Sequence, residues 1–420
     1  MKVVIIGSGG REHAICSALT KSKNINKIYC IPGNAGTQMI SENVDLDITN
    51  FDNLKKFILN NKVDLVIIGP EQPLVDGIED FLANNGIKVF GPNEFASQLE
   101  GSKIFTKELC KKYKIPTANF GIFKNLTEAS VFLEKCDYPI VVKADGLASG
   151  KGVYICEKKN QSISAVEEIF NGKFGKAKNV LIEEFLKGEE MSFFIISDGD
   201  SYKEFGTAQD HKRVLEGDKG KNTGGMGAYS PSRLETKELN KKIIEKIIEP
   251  TLKGLKESNT FFRGFLYAGL MIVDGEPFLI EYNVRMGDPE CQTILPRLKT
   301  DLGMIIEACV NKKLDTINLE WEHKKSLCVV LCSNGYPEKY KKNIELENLD
   351  QIILEKNEYI FHAGTKKIND KILSNGGRVL SFVIKSDKFR TCRDKAVKLI
   401  DKVGWKDGFY RKDIGYKVID

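Results

Sequence analysis

The sequence predicts an α/β protein of several domains that begins with a doubly wound parallel sheet. In the first hundred residues, short apolar runs alternate with helix-like stretches, the pattern of strands joined by crossover helices. Each apolar run ends in a loop rich in glycine or proline, and folds of this class bind ligands at these strand ends. The chain of 420 residues has room for about two to four domains.

The elements follow in order along the chain. The first domain is predicted to contain a strand, a helix and three further strands, at Val3–Ile6, about Arg11–Lys21, Lys27–Ile31, Asp64–Ile68 and Lys88–Phe90. The rest of the chain is predicted to contain a lysine-rich helix at Gly101–Lys114, a strand at Met191–Ile196, a helical stretch over 232–258, two strands around the turn Asp274-Gly275-Glu276, and strands at Leu327–Leu331 and Arg378–Ile384.

The composition excludes several classes of protein. Lys and Arg number 63 and Asp and Glu 58, and a net charge of +5 is too small to indicate nucleic-acid binding. No apolar run reaches the roughly 18 residues of a membrane span, and the amino terminus does not resemble a signal peptide. The ten cysteines and four histidines lack the spacing of a disulfide framework or a zinc site. We therefore expect a cytoplasmic protein with reduced thiols.

The first glycine loop follows the first strand and reads Gly-Ser-Gly-Gly-Arg-Glu-His. A dinucleotide fingerprint needs glycine at its sixth position, where this chain has Glu12. Glycines at a helix start allow close approach of an anion, and Arg11 adds a positive charge there. The loop therefore favours a phosphate over a dinucleotide, with an empty tight turn as the alternative.

A second glycine loop reads Lys-Ala-Asp-Gly-Leu-Ala-Ser-Gly-Lys-Gly over residues 143–152. A Walker loop has four residues between its glycines and Ser or Thr after its lysine. Here three residues separate Gly146 from Gly150, and Gly152 follows Lys151. The sequence instead predicts a glycine hairpin that closes over phosphates, with Lys143 and Lys151 as point charges. An ordinary hairpin with solvated lysines is the alternative.

Residues 180–190, Val-Leu-Ile-Glu-Glu-Phe-Leu-Lys-Gly-Glu-Glu, are predicted to run from a strand into a charged turn. The backbone of 183–186 has a donor and an acceptor for an adenine edge, and Glu190 can accept hydrogen bonds from ribose hydroxyls. The alternative is a solvated acidic turn.

Residues 278–291 hold the strongest candidate for a metal site. Residues two apart in a strand share a face, so Glu281 and Asn283 point the same way. A carboxylate and an amide oxygen suit Mg²⁺ bound to nucleotide phosphates. Arg285 continues that face and can hold a carboxylate or a transferring phosphoryl group.

Two polar segments complete the predicted site. Residues 207–213 form a polar run after a strand, and residues 222–231, rich in glycine, are predicted to form a loop. Together they provide charged groups and backbone donors for a substrate. His211 is a candidate general base, although a structural or exposed histidine is the favoured interpretation.

These segments resemble, in order, the glycinamide ribonucleotide synthetases, an ATP-grasp family of purine biosynthesis. The motifs that carry the resemblance are Gly-Ser-Gly-Gly-Arg-Glu-His, Pro-Gly-Asn-Ala-Gly-Thr, Gly-Pro-Glu, Leu-Glu-Gly-Ser-Lys, the second glycine loop, Gln-Asp-His-Lys-Arg, Asn-Thr-Gly-Gly-Met-Gly-Ala-Tyr-Ser-Pro, Gly-Asp-Pro-Glu, Phe-His-Ala-Gly-Thr, Asn-Gly-Gly-Arg-Val-Leu and Tyr-Arg-Lys-Asp-Ile-Gly-Tyr. They cover essentially the whole chain.

The resemblance implies a carbon–nitrogen ligase. ATP would phosphorylate glycine to glycyl phosphate, and the amine of 5-phosphoribosylamine would attack it to give glycinamide ribonucleotide, ADP and phosphate. Catalysis would consist of positioning and charge neutralisation. The resemblance also implies Mg²⁺ or Mn²⁺ as cofactor, no nucleic-acid or membrane partner, and transient contact with the preceding pathway enzyme.

The resemblance further assigns roles to residues. At the reacting phosphoryl group it places Arg285 and Lys151. The metal would be held by Glu281 and Asn283. Those binding ATP would be Lys103, Lys143, Gly146, Gly150, Gly152, Glu183, Phe185, Leu186 and Glu190. Those binding glycine and phosphoribosylamine would be Gly9, Gly10, Arg11, Asn34, Glu71, Asp210, Lys212, Gly224, Gly225 and Gly227.

The expected domains are a doubly wound domain over 1–100, an ATP-grasp core over 101–325 with a mobile hairpin lobe near 115–190, and a C-terminal α/β domain over 326–420. Many ATP-grasp enzymes place another metal-binding carboxylate on the strand before the Glu/Asn pair, and here 268–272 has none. The length suits the monofunctional, bacterial type. Two alternatives remain open: an ATP-grasp ligase for other substrates, and an inactive nucleotide-binding regulator.

Overall fold

The computed structural model describes residues 1–147, 152–175 and 177–419. Three of its sheets organise the molecule: a five-stranded parallel sheet, a four-stranded antiparallel sheet and a nine-stranded sheet that runs into the C-terminal region. The predicted α/β, multi-domain fold is confirmed. Within the described ranges, no helix is long and apolar enough to cross a bilayer.

The first domain is the predicted doubly wound parallel sheet. Its elements are β1 (Lys2–Gly7), α1 (Gly10–Leu19), β2 (Lys27–Pro32), α2 (Thr37–Ile40), β3 (Glu42–Asn43), α3 (Phe51–Asn60), β4 (Leu65–Ile68), α4 (Glu71–Val75), α5 (Ile78–Ala83) and β5 (Val89–Phe90). The strand order is β3-β2-β1-β4-β5, with every pair parallel. The loops after β1 and β4 therefore meet at one edge of the sheet.

Two helices, α6 (Glu94–Gly101) and α7 (Lys103–Tyr113), connect this domain to a small lobe. The predicted helix over Gly101–Lys114 begins two residues later, because the Ser102 hydroxyl accepts a hydrogen bond from the Phe105 amide and caps α7. The lobe contains β6 (Phe120–Phe123), α8 (Leu126–Leu133), β7 (Ile140–Ala144), β8 (Val153–Cys156), α9 (Lys159–Phe170) and β9 (Val180–Glu184).

The lobe sheet is antiparallel, in the order β6-β9-β7-β8. In β7 and β9, alternate side chains form a separate apolar core, and the intervening side chains, Val141, Lys143, Leu181 and Glu183, line the main cavity. Strands β7 and β8 form the hairpin that the second glycine loop predicted, with Lys143 opposite Val153. Residues 148–151 at its tip lie outside the described residues.

The large sheet joins the core to the C-terminal region. Its path is β16-β15-β10-β11-β14-β17-β21-β18, and β22 pairs with β17. The elements of this part are β10 (Glu189–Asp198), β11 (Tyr202–Asp210), β12 (Arg213–Leu215), β13 (Lys219–Asn222), β14 (Gly227–Ser230), α10 (Lys237–Ile243), α11 (Glu249–Glu257), β15 (Arg263–Val273), β16 (Glu276–Asn283), α12 (Glu290–Ile294), α13 (Leu302–Val310), β17 (Lys325–Ser333), β18 (Glu358–His362), β19 (Thr365–Ile368), β20 (Lys371–Ser374), β21 (Arg378–Ser386), α14 (Phe389–Val403) and β22 (Gly408–Phe409).

One sequence-based prediction is wrong here. Residues 222–231 were expected to form a loop, but they contain β14, a fully buried strand that pairs with both β11 and β17. Gly227 permits this pairing, because a Cβ atom there would stand 2.5 Å from the Cys328 carbonyl oxygen. The sheet is consequently continuous across residue 326, where the C-terminal domain was expected to begin.

Two buried histidines join α1 to β18. His13 Nδ1 accepts a hydrogen bond of 2.8 Å from the His362 amide, and the two rings lie 5.6 Å apart. Burial lowers the pKa of His13 to about 3 and that of His362 to about 4. Both rings are therefore neutral in the folded protein.

We expect neither ring to titrate above pH 5, as measured from imidazole NMR resonances. An unfolded histidine has a pKa of about 6.5, so the preference for neutral rings stabilises the fold above that pH. This stabilisation is lost as the pH falls from 6.5 towards 4. A resonance that shifts with a midpoint near pH 6.5 and disappears in the His13→Asn variant would contradict the prediction.

Candidate active site

One large cavity of about 860 Å³ lies between the first domain, the lobe and the large sheet. Its volume is within the range of small-molecule sites. Most of the predicted site residues line it: Gly9, Arg11, Glu71, Lys103, Lys143, Gly146, Glu183, Phe185, Leu186, Glu190, Asp210, Lys212, Gly224, Glu281, Asn283 and Arg285.

Some predicted residues lie elsewhere. Those described but absent from the cavity wall are Gly10, Asn34, Gly152, Gly225 and Gly227, and Gly150 and Lys151 lie outside the described residues. Asn34 is structural, since its amide donates to the Ser8 carbonyl at 2.9 Å and to the His362 carbonyl at 2.8 Å.

A buried triad of charges stands at the lobe side of the cavity. The two carboxylate oxygens of Glu183 lie 2.6 Å from Lys107 Nζ and 2.5 Å from Lys143 Nζ. All three side chains are at most 6% exposed. Burial alone would raise the pKa of Glu183, but the positive charges of Lys143 and Lys107 outweigh it and hold that pKa below its usual range. The Glu183 side chain thus orients lysines, and only its backbone remains for an adenine edge.

Lys103, at the start of α7, reaches the glycine hairpin. Its Nζ donates a hydrogen bond of 2.8 Å to the Gly146 carbonyl. Burial lowers the pKa of Lys103, opposed by the charge of Glu281. Gly146 has φ +89°, a left-handed conformation that glycine adopts without strain. Two lysines, Lys103 and Lys143, therefore lie at the base of the hairpin, as a polyphosphate site requires.

An apolar slot lies beside these lysines, between the lobe sheet and the large sheet. Its walls come from β7, β8, β9, β15 and β16, through Val141, Val153, Ile155, Leu181, Met271 and Leu279. Phe185 and Leu186 connect the lobe to the large sheet. Glu190, at the start of β10, pairs with Lys212 at 2.7 Å. The slot has the apolar faces that a purine needs and a carboxylate beyond them.

Glu281 and Asn283 lie on one face of β16, as predicted, while the alternate residues Tyr282 and Val284 pack into the core. Within the described part of the chain, neither polar side chain has a hydrogen-bonding or ionic partner. Gly269 leaves room for Glu281, because a Cβ there would stand 3.2 Å from Glu281 Cγ. Two oxygen donors without protein partners fit a hard cation such as Mg²⁺. Among the described residues, no group of three His, Cys, Asp or Glu side chains has metal-binding geometry.

Arg285 is held by two carboxylates. Its guanidinium lies 2.5 Å from Glu100 and 3.2 Å from Glu71. The Arg285 charge lowers the pKa of Glu71 to about 2, whereas burial raises the pKa of Glu100 to about 7. These contacts tie β16 to the first domain and fix the guanidinium at the cavity wall.

The first glycine loop already contains a carboxylate. Glu12 is 1% exposed and accepts hydrogen bonds from the Gly9 amide at 2.5 Å and from Arg11 Nε at 2.6 Å. Arg11 therefore has a partner within its own turn, with Glu71 4.0 Å away. Glu12, which breaks the dinucleotide fingerprint, places a negative charge inside the turn and uses the Gly9 amide. This disfavours an anion at the turn amides, so the predicted preference for a phosphate depends on Arg11.

Asp210 and Lys212 face the cavity from the end of β11. Burial raises the pKa of Asp210 to about 8. The charge of Lys212 opposes this shift, and the charges of Glu290, Glu190 and Glu281 add to it. The acidic neighbours in turn hold the pKa of Lys212 well above its usual value, against the effect of burial. This end of the cavity concentrates negative charge around one ammonium group and suits a substrate that carries an amine.

His211 makes a structural contact and also borders the cavity. Its side chain is buried, its Nε2 accepts a hydrogen bond of 3.1 Å from the Gly415 amide, and burial lowers its pKa to about 4.

Several cavity residues were missed by sequence reasoning. Glu100 and Arg378 belong to motifs already noted, Leu-Glu-Gly-Ser-Lys and Asn-Gly-Gly-Arg, but nothing local assigns them a function. Asp288 joins three parts of the molecule: it accepts from the Arg11 amide at 3.0 Å and from Gln292 at 3.0 Å, and lies 3.3 Å from Arg378. The contacts with Arg11 and Arg378 span 277 and 90 residues and are not readable from one sequence.

Three family models match the chain in series. The phosphoribosylglycinamide synthetase N domain matches residues 1–100, the ATP-grasp (A) domain of the same enzyme matches 101–291, and its C domain matches 326–417. Together these models cover most of the sequence.

Curated relatives align with this chain over its full length. The phosphoribosylamine–glycine ligases of Brucella melitensis and Mesorhizobium japonicum are 44% and 45% identical, with 100% of this chain and 99% of each relative covered. The crystal structure of phosphoribosylamine–glycine ligase from Thermotoga maritima is 34% identical, with a TM-score of 0.85 and coverage of 99% of this chain and 100% of that one. A biotin carboxylase domain of Hydrogenobacter thermophilus, solved with MgADP, shares only the fold, at 16% identity and a TM-score of 0.72. The chain belongs to the phosphoribosylglycinamide synthetase family.

Proposed function

We propose that this protein joins glycine to 5-phosphoribosylamine at the expense of ATP, through glycyl phosphate. The observation that supports this proposal is that one cavity contains the two lysines Lys103 and Lys143, the apolar slot, the Glu281 and Asn283 face, and the acidic end around Lys212. The acidic end suits an amine substrate. Simple nucleotide binding would need no such amine site, so the combination favours the phosphoryl activation of a carboxylate.

We propose that ATP binds with its purine in the apolar slot and its phosphates at Lys103 and Lys143. Lys143 keeps one hydrogen on Glu183 and has two further donors for phosphate oxygens. The ribose hydroxyls face Glu190. Gly150, Lys151 and Gly152, the first two of which lie outside the described residues, are proposed to contact the phosphates.

Glu281 and Asn283 would hold Mg²⁺, or Mn²⁺ in its place, with oxygen ligands. When bound, the ion neutralises charge on the nucleotide phosphates. Arg285, held by Glu71 and Glu100, lies beside this face and stabilises negative charge on the phosphoryl group during its transfer.

The chemistry consists of two displacements. A glycine carboxylate oxygen forms a bond to the γ-phosphorus while the bond from that phosphorus to ADP breaks. The amine nitrogen then attacks the glycyl carbonyl carbon, phosphate leaves with the carboxylate oxygen, and the amine releases a proton. Asp210 and Lys212 orient glycine and the amine, and the Gly9, Arg11 and Glu71 end of the cavity takes the phosphoribosyl group.

We also propose domain limits of 1–100, 101–325 and 326–420, a mobile hairpin lobe near 115–190, and a cytoplasmic location. Because phosphoribosylamine is labile, transient contact with the enzyme that supplies it is a further proposal.

The decisive assay measures ADP release by the purified chain. We expect steady release only with glycine, phosphoribosylamine and Mg²⁺ together, and we expect L-alanine not to replace glycine. A Lys143→Met variant, prepared in parallel, identifies release that belongs to this site. Release that persists unchanged without glycine would overturn this assignment. Nucleotide binding without turnover would favour a regulator or an ATP-grasp ligase for another carboxylate.

A further inference from the structure

We propose that the C-terminal segment 411–417 is a positioning element of the active cavity, acting through the β12–β13 hairpin (residues 213–222). This inference rests on the proposed function for its substrate assignments, although its structural core does not. The hairpin supplies Arg213, Asp218 and Asn222 to the cavity wall and follows directly on Lys212.

Arg411 is the centre of the contact. It is 1% exposed, among the most buried of the large side chains described. Its guanidinium donates to the Arg213 carbonyl at 2.9 Å and to Asp218 at 2.8 Å, and forms a bidentate pair with Asp413 at 2.8 and 2.7 Å. One buried cation therefore binds both the base and the turn of the hairpin.

Further contacts surround this cation. The Gly217 amide donates to Asp413 at 2.8 Å, and the Lys412 amide donates to Glu216 at 3.1 Å. The Tyr416 hydroxyl donates to Asp218 at 2.8 Å. Turn and segment thus exchange hydrogen bonds in both directions, which specifies one register between them.

Apart from the C-terminal segment, the hairpin is held by an exposed ion pair between Lys221 and Glu338 and by packing of Val214 against the core. Strands β12 and β13 pair with each other and with no other described strand, and their pairing contains an irregularity at Arg213–Leu215. An isolated two-stranded hairpin is marginally stable in water. Its position over the cavity therefore depends on the C-terminal segment.

Lys212 is anchored where the hairpin begins. Its carbonyl accepts from both the amide and the hydroxyl of Thr223, each at 2.8 Å, and the preceding His211 is bonded to Gly415. A shift of the hairpin therefore moves first the substrate end of the cavity, where Lys212 and Asp210 lie, and reaches the nucleotide side through the pair of Lys212 with Glu190.

The test uses Tyr416→Phe, which removes one hydrogen bond to Asp218 from an exposed ring and should fold normally. Tyr410→Phe is the control, because this residue directly precedes the segment and its hydroxyl donates a hydrogen bond of 2.6 Å to Asp401, which lies outside the hairpin. Hydrogen exchange of the ligand-free, full-length chain gives the first readout. We expect amides of 213–222 to exchange up to about tenfold faster in Tyr416→Phe, with the control unchanged.

Steady-state kinetics give the second readout. We expect Tyr416→Phe to raise the KM for glycine or phosphoribosylamine at least about threefold, clearly more than it raises the KM for ATP, with kcat within about twofold. Arg411→Met should give a larger change of the same kind.

Unchanged hydrogen exchange of the 213–222 amides would overturn the proposal. A fall in kcat together with a rise in the KM for ATP, both in proportion to a lowered melting temperature, would also overturn it. If the parent chain has no ligase activity, the proposed function fails, while the exchange result still decides whether the segment positions the hairpin.

Discussion

The Glu281→Ala variant is expected to lose at least about 10³-fold in ADP release while keeping or raising the melting temperature of the parent chain. Among the described residues, Glu281 has no ionic or hydrogen-bonding partner, so its removal breaks no bond in the fold. Its charge acts in both directions on its neighbours, since it helps to raise the pKa of buried Asp210 but also favours the charged form of Lys103. Residues placed for function at the expense of stability behave in this way.

Glu276→Ala is the matched control for this prediction. Glu276 lies on the same strand, exposed, and pairs with Lys242 and Lys246 at 2.8 and 2.6 Å. Exposed pairs contribute little, and we expect activity within about twofold of the parent. A Glu281→Ala protein that unfolds earlier than the control would show that Glu281 is structural, and one that retains turnover would show that the metal is held elsewhere.

The sequence predicts well those features that depend on near neighbours. The alternation in β16 placed Glu281 and Asn283 on one face, and the spacing of Gly146, Lys151 and Gly152 separated a glycine hairpin from a Walker loop. Both rest on periodicity or loop geometry, which extend over a few residues.

Features that depend on distant contacts were not predictable. The sequence suggested that the backbone of 183–186 faces an adenine edge, but it did not show that the Glu183 side chain pairs with two lysines that lie 40 and 76 positions earlier. Glycine-rich 222–231 resembled a loop because its composition is that of turns, whereas β14 is a buried strand whose glycine permits close approach of β17. Tertiary packing overrode local propensity at that site.

The second large effect is expected for Glu183→Gln. This change removes one charge and leaves two buried ammonium groups, Lys107 and Lys143, without a counterion. Breaking a buried pair in this way costs about 3–5 kcal/mol, and we expect the free energy of unfolding to fall by about 3 kcal/mol in denaturant titrations. Lys143 also loses the contact that orients it, so we expect the KM for ATP to rise at least about tenfold.

Glu168→Gln is the control, because its pair with Lys173 lies in the same lobe but is exposed; the free energy of unfolding should change by less than about 1 kcal/mol. The double variant Glu183→Gln, Lys107→Met separates the two effects. It removes the surplus buried charge, so stability should recover by at least about 1 kcal/mol. ATP affinity should not recover, because Lys143 still lacks its carboxylate. Recovery of both together would mean that the triad acts on ATP only through the stability of the lobe, and recovery of neither would mean that Lys107 carries no surplus charge once Glu183 is neutral.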